Sequence, residues 1–304
     1  MVTKKINKDL LIGIDIGGTK VKLVLMRGSK VLAEDKYLLK SFKTSRQFLA
    51  TLIAHLELLI KPYTISRIRG IGIGLPGILN KERTKVLMLP NSTIIKNINF
   101  KKILQDKFRL PVLLENDTNA MALGEMMYGA GKGMQSLVML SLGTGVGAGI
   151  IFRHGAKLNL LTGHHGAAGE IGHMIINFNG IEGRPKKKGT LEQYASAKFL
   201  KRRNVNQPLK IQQEAKAGKK SALKIYQELG HYLGYGLANI VNIFDPEVIV
   251  LSGGVSEAYD LFIKPAKLVM KNNLISSQSA DIKILKSKLG DRAGAIGAAA
   301  LWLR

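Results

Sequence analysis

The residues in this chain best suited to chemistry are carboxylates placed beside glycine turns. Asp15 opens the run Asp15-Ile16-Gly17-Gly18-Thr19 at the end of an apolar segment. Glycines let backbone N–H groups approach phosphate oxygens with no Cβ in the way, and a carboxylate there can hold Mg2+, directly or through water. Gly143-Thr144-Gly145-Val146-Gly147 offers the same kind of cradle. Residues 10–26 and 136–152 share one plan: an apolar strand, a glycine turn, a second apolar strand. Either stretch alone reads as an ordinary hairpin. Together, with Ser252-Gly253-Gly254 as a third glycine turn after a strand, they point to two halves that hold one phosphate chain. Neither turn is a P-loop, because no Gly-Lys-Ser/Thr follows. Neither is a dinucleotide fingerprint, because a strand rather than a helix comes next.

Asp117 lies where a strand gives way to a helix. Asp and Asn there often only cap the helix. Glu115-Asn116-Asp117-Thr118-Asn119 gathers more polar groups than a cap needs, however, and a carboxylate so placed can take a proton from an attacking hydroxyl. Glu170, His173 and Glu192 add two acids and an imidazole in loops, groups that hydrogen-bond well to sugar hydroxyls. The other histidines, His55, His154, His164, His165 and His231, read as ordinary surface or structural residues.

These residues must be positioned by elements that the hydrophobic pattern makes visible. Strands are expected over 10–16, 21–26, 31–39, 68–74, 112–114 and 247–251, with a strand pair over 137–152. Helices are expected over 45–60, where Leu49, Leu52, Ile53, Leu56 and Ile60 recur at helical spacing, and over 100–108, 118–128, 191–202, 210–217, 222–244, 259–272 and 290–303. Alternation of strands and helices with glycine turns argues for an α/β protein. Its 304 residues suffice for two domains.

The bulk numbers narrow the chemistry. There is no cysteine, so disulfides and thiolate metal sites are excluded. Forty-six Lys and Arg against 21 Asp and Glu give a net charge of +25. The basic residues are scattered and not interleaved with aromatics. They read first as a solvated surface, then as an attraction for ATP or polyphosphate, and last as a nucleic-acid footprint. No apolar run reaches the roughly 18 residues of a spanning helix, and Asp15 interrupts the N-terminal apolar run, so a cytoplasmic protein is expected.

The set of motifs resembles the ROK family of sugar kinases and regulators, within the actin-like/hexokinase ATPase superfamily. The matching segments are IGIDIGGTK, GIGLPG, the Asn91 region, PVLLENDTNAMALGE, LSLGTGVGAGI, GAAGEIGH, GTLEQYAS, VIVLSGGVS and GDRAGAIGAAA, in the family's order over nearly the whole chain. The resemblance implies two actin-like (ribonuclease H-like) β/α domains with a central cleft: a smaller one of residues 1–118 plus 291–304, and a larger one of 119–290. It implies an ATP- and Mg2+-dependent kinase acting on the 6-hydroxyl of a hexose, most simply glucose. Asp117 would be the general base. Gly77, Asn91, Asn116, Asp117, Glu170, His173 and Glu192 would bind sugar. Asp15, Gly17, Gly18, Thr19, Lys20, Gly143, Thr144 and Gly145 would serve the phosphates, with Asp15 toward Mg2+ and Gly253 and Gly254 on the adenosine side. A homodimer or homotetramer is also implied.

One departure is clear. Many members carry a Cys-x-Cys-Gly-x-x-Gly-Cys-x-Glu zinc motif after the histidine. Here Gly183, Pro185 and Thr190 stand at the thiolate positions, so His173 alone cannot hold zinc and a zinc-free protein is expected. Its 179–190 loop is then held by packing or left mobile. Ile95 stands where a Trp is frequent, which bears on sugar choice. Kinases for N-acetylmannosamine, N-acetylglucosamine or fructose, and a polyphosphate donor, are the alternatives within the family. A sugar-binding regulator is the alternative of another class. It is expected to lack a DNA-binding domain, because nine residues precede the first strand. A catalytically silent sensor fits poorly with the retained Asp15, Asp117, Glu170, His173 and Glu192.

Overall fold

The computed structural model describes residues 9–80, 82–88, 95, 98–183 and 187–304. In chain order the elements are β1 (Leu10–Ile16), β2 (Lys20–Arg27), β3 (Lys30–Leu38), α1 (Ser45–Ile60), β4 (Ile68–Leu75), β5 (Ile78–Leu79), β6 (Val86–Met88), α2 (Phe100–Phe108), β7 (Val112–Asn116) and α3 (Asp117–Tyr128). There follow β8 (Ser136–Leu142), β9 (Val146–His154), β10 (Lys157–Leu160), α4 (Leu191–Tyr194), α5 (Ala197–Arg202), α6 (Pro208–Lys216) and α7 (Lys220–Phe244). The chain ends with β11 (Val248–Ser252), α8 (Tyr259–Asn272), β12 (Lys283–Lys286) and α9 (Ala293–Ala300).

Two five-stranded sheets repeat one topology. The first has the order β3-β2-β1-β4-β7 and the second β10-β9-β8-β11-β12. In the first, β1, β2 and β3 run antiparallel while β4 and β7 join parallel; in the second, β9 and β10 run antiparallel and β8, β11 and β12 parallel. The duplicated hairpin seen in the sequence is therefore the start of a duplicated sheet. This is the two-domain actin-like α/β fold. The described chain divides into two compact units: Met1–Gly133 with Gly149–Ala168 and Lys288–Arg304, and Met134–Ala148 with Gly169–Ser287.

In the first unit, strand alternation sorts β1 onto two faces. Ile12, Ile14 and Ile16 join Phe48, Leu52 and Leu56 of α1 and Phe100, Leu104 and Phe108 of α2 in one core. Leu11 turns the other way, to Ala295, Ile296 and Ala299 of α9. Asp15 shares the parity of Leu11 and Gly13, so it ends the face that α9 covers. That helix packs backbone against backbone. A Cβ on Gly13 would lie 1.9 Å from the Ala295 carbonyl oxygen, and one on Gly72 of β4 would lie 1.8 Å from that of Ala298.

Four short strands, β5, β6, β10 and β12, were not legible as alternating patterns, since two to four residues are too few to show a period. The single helix expected over 191–202 is two helices. Ser196 breaks it: its hydroxyl donates to the Glu192 carbonyl (2.6 Å) and accepts from the Lys198 amide (3.1 Å), which caps α5. The last expected helix is α9 flanked by 3-10 turns at Gly290–Arg292 and Leu301–Leu303. Among the described residues no helix is long and apolar enough to cross a membrane.

Candidate active site

The first unit carries an acid cluster. Asn116 ends β7 with extended dihedrals, and its side-chain oxygen accepts from the amides of Thr118 (2.9 Å) and Asn119 (3.1 Å). Asn116, not Asp117, is thus the cap of α3, which leaves the Asp117 carboxyl available for chemistry. Asp117 Oδ1 accepts from the Thr118 amide at 2.8 Å. The Asn116 side-chain amide donates to the Gly77 carbonyl at 3.1 Å, so two of the expected sugar residues are joined directly. Gly77 takes φ +92°, a conformation that suits glycine.

Burial, and then the negative charge of Asp15, push the Asp117 carboxyl up to about 7, against the pull of its Thr118 hydrogen bonds. Asp15 itself is raised to about 6 by burial, with Asp291 adding to the rise and Lys22 opposing it. A buried carboxyl raised further by a neighbouring carboxylate is a frequent mark of acid–base sites. Lys22 lies 3.8 Å from Asp15 and 2.6 Å from Asp291. This partner was missed from the sequence, yet the hairpin register places Asp15 directly opposite Lys22. A two-strand pairing centred on the Gly17–Lys20 turn would have found it.

The turn itself closes through the Gly17 amide on the Lys20 carbonyl (2.9 Å), and Gly18, Thr19 and Lys20 are exposed. The space that a Cβ on Gly18 would fill is open. Glu115, just upstream, is fully buried and ion-paired with Arg83 and with Arg304 at 3.4 Å. It also accepts from the Asn116 amide (3.0 Å) and the Asn119 side chain (3.1 Å), so it fixes the strand that delivers Asp117. Asn91 lies outside the described residues.

The second unit carries the other turn and the loop residues. The Gly143 amide donates to the Gly145 carbonyl (2.9 Å), and the Gly143 carbonyl accepts from the Ala197 amide (2.9 Å). Thr144 is exposed and the Cβ side of Gly143 is open. Glu192 lies against this turn: a Cβ on Gly145 would come 2.2 Å from its carboxylate, and the Val146 amide donates to it at 3.3 Å. Lys198 is ion-paired with Glu192. Gly253 takes φ +86° and a Cβ there would lie 2.6 Å from the Leu142 carbonyl, so only glycine turns the chain out of β11, while Gly254 has open space.

Glu170 and His173, 3.7 Å apart, line a cavity of about 380 Å³ whose other walls include Met174 and the α7 residues Ile240, Ile243 and Phe244. Hydrogen bonds hold the loop after His173. The Gly189 carbonyl accepts from the Ile176 amide (2.9 Å), and the Tyr194 hydroxyl from the Ile181 amide (2.8 Å).

In the first unit the donor set around the Gly17–Lys20 turn is one of hard oxygens, the Asp15 carboxylate beside exposed Gly18 and Thr19, which suits a hard cation. Among the described residues no three or more His, Cys, Asp or Glu side chains converge as a metal cage. Mg2+ held by one carboxylate, waters and phosphates needs none.

Comparison with known proteins decides the lineage. The ROK family model matches residues 11–304. The chain belongs to the ROK family. Family members split into enzymes and regulators, and both are similar to this chain. The xylose repressor of Caldicellulosiruptor bescii is 34% identical over 324 residues, covering 99% of this chain and 80% of the repressor. The glucokinase of Streptomyces coelicolor is 31% identical over 320 residues, covering 96% of this chain and 97% of that enzyme. Among solved structures, a ROK family glucokinase from Streptomyces griseus in complex with glucose and AMPPNP has a TM-score of 0.78 at 30% identity, covering 96% of this chain and 98% of that one.

Proposed function

We propose that this ROK protein is an ATP-dependent kinase that phosphorylates the 6-hydroxyl of a hexose, with glucose as the first candidate. One observation carries the reading: Asn116 takes the cap of α3 and leaves the partly buried Asp117 carboxyl out of it, and burial pushes that carboxyl up to about 7. A general base works best with a pKa near the operating pH. Asp117 accepts the hydroxyl proton as the sugar oxygen attacks the terminal phosphate. Asn116, Gly77, Glu170, His173 and Glu192, with Asn91, orient the sugar. Asp15, Gly17, Gly18, Thr19, Lys20, Gly143, Thr144 and Gly145 receive the phosphates, and Gly253 and Gly254 the adenosine side. Mg2+ at Asp15 supplies neutralisation of the charge on the transferred phosphoryl group. The smaller domain of 1–118 with 291–304, the larger one of 119–290, and a homodimer or homotetramer belong to the same reading.

The test is ADP release with Mg-ATP against glucose, mannose, fructose, N-acetylglucosamine, N-acetylmannosamine and xylose. One hexose should exceed the rest by about 100-fold or more in kcat/KM, roughly what a few lost hydroxyl contacts produce. If all stay silent with ATP and with polyphosphate while one binds, the kinase reading fails. The second reading then stands: a sugar-responsive regulator, favoured by the similarity to the xylose repressor over 99% of this chain. Xylose tests it cleanly because an aldopentose has no 6-hydroxyl to phosphorylate.

Turnover is expected to decline as pH falls through about 7, because protonated Asp117 cannot accept the hydroxyl proton. A kcat profile that stays flat down to pH 5 would exclude Asp117 as the base. The purified protein is also expected to contain far less than one zinc per chain by elemental analysis, since Tyr194 and Gly189 tie the loop with hydrogen bonds where relatives use thiolates.

A further inference from the structure

The family resemblance implies a sugar role for Glu192 and a phosphate role for Gly143–Gly145, as separate tasks. In the second unit they form one construction. One carboxylate oxygen of Glu192 accepts from the Val146 amide at 3.3 Å, directly after the glycine turn. The same oxygen fills the space where Gly145 has no side chain. The other oxygen takes the Lys198 ammonium. Lys198 comes from the first turn of α5, whose Ala197 amide donates to the Gly143 carbonyl at 2.9 Å. The carboxylate is thus fixed from both ends by groups that also border the glycine turn. The Glu192 side chain is 14% exposed, so solvent reaches it.

We propose that Lys198 is a positioning residue for sugar recognition: its ammonium holds the Glu192 carboxylate aimed, so that it keeps spare lone pairs for sugar hydroxyls. A carboxylate offers about four acceptor sites, of which the amide and the ammonium occupy two. Without Lys198, the long Glu192 side chain regains its rotamers and must be ordered again when sugar binds. The inference rests on the reading of Glu192 as a sugar ligand. Lys198 is six residues beyond Glu192 and across the Ser196 break, so no helical spacing relates the two.

The experiment is calorimetric binding of the preferred sugar from the panel, and separately of Mg-AMPPNP, to wild type, Lys198→Met, Lys198→Arg, Glu192→Gln and the Lys198→Met/Glu192→Gln pair, with unfolding temperatures for each. Lys198→Met should weaken sugar binding by about 10-fold and leave AMPPNP within about 2-fold, and Lys198→Arg should recover most of the loss. In the Glu192→Gln background Lys198→Met should add little, because its effect passes through that carboxylate. Unchanged sugar affinity in Lys198→Met overturns the inference. So does a loss confined to AMPPNP, which would make Lys198 a phosphate contact, or full additivity with Glu192→Gln, which would make it merely structural. A wild type that binds none of the sugars overturns the sugar reading itself, a result distinct from binding that is indifferent to Lys198.

Discussion

Asp117→Asn should lower kcat by about 10²–10⁴, the usual contribution of a general base, while sugar affinity stays within a few-fold. The separation follows from the local structure. Asn116 supplies the cap of α3 and the bond to Gly77, so the substitution leaves both in place. Asparagine keeps the side chain's shape and an oxygen for the Thr118 amide, but it cannot take the proton. The same variant should be more stable than wild type at neutral pH. Burial pushes the folded carboxyl up to about 7, well above the ordinary aspartate range, so the fold favours the protonated form. The stability from that preference is complete below about pH 4 and is lost as pH rises through about 7. A neutral side chain at 117 removes this dependence. The measurements are kcat with the preferred sugar, sugar binding, and unfolding temperature at pH 5 and pH 8. Near wild-type turnover would refute the assignment of the base, and a stability gain equal at both pH values would refute the burial argument.

Gly297→Ala should destabilise the protein by about 3 kcal/mol or more, at the upper end of overpacking costs. For a chain of this size that is a fall of roughly 5–10 °C in the unfolding temperature. Alanine in a helix normally gains up to about 1 kcal/mol over glycine, so intrinsic preference alone predicts the opposite sign. Packing decides the result. A Cβ on Gly297 would lie 1.7 Å from the Ala120 carbonyl oxygen and 3.0 Å from the Gly124 amide, both backbone of α3. No side-chain rotation relieves such a clash, so α9 and α3 must separate. That displacement reaches chemistry, because Asp117 opens α3 and Gly294 of α9 lies against the Asp15 carboxyl. Gly18→Ala is the control. Nothing lies within 4 Å of its Cβ position, so stability should change by less than about 0.5 kcal/mol. If the two variants unfold at the same temperature, the close approach of these helices is wrong.

Much of this molecule was legible in its sequence, and the reason is local. The hairpins at 10–26 and 136–152 announce themselves through apolar runs around glycine turns, and α1, α2 and α8 have the bounds that their periodicity gives. Gly17, Gly18, Gly143 and Gly145 are legible because a tight turn between two apolar strands leaves a mark in composition. The Asp15–Lys22 pair was within reach through hairpin register. Other features depended on elements far apart in the chain. Alternation in β1 places Asp15 beside Gly13, but only the arrival of α9, some 280 residues later, buries that face and raises the carboxyl toward 6. The Glu115 pairs with Arg83 and Arg304, and the Glu192–Lys198 pair against Gly145, obey no sequence period. The sequence by itself determined the family, the duplicated sheet and the types of groups brought to the site, because strand pattern and turn chemistry are written in neighbouring residues. Tertiary structure decided that Asp117 is buried near enough to Asp15 for that carboxylate to raise it further, and that Asp291 raises Asp15 while Lys22 opposes the rise. Protonation is set by burial and by the charges that packing brings close, and neither is a property of the residues next in line.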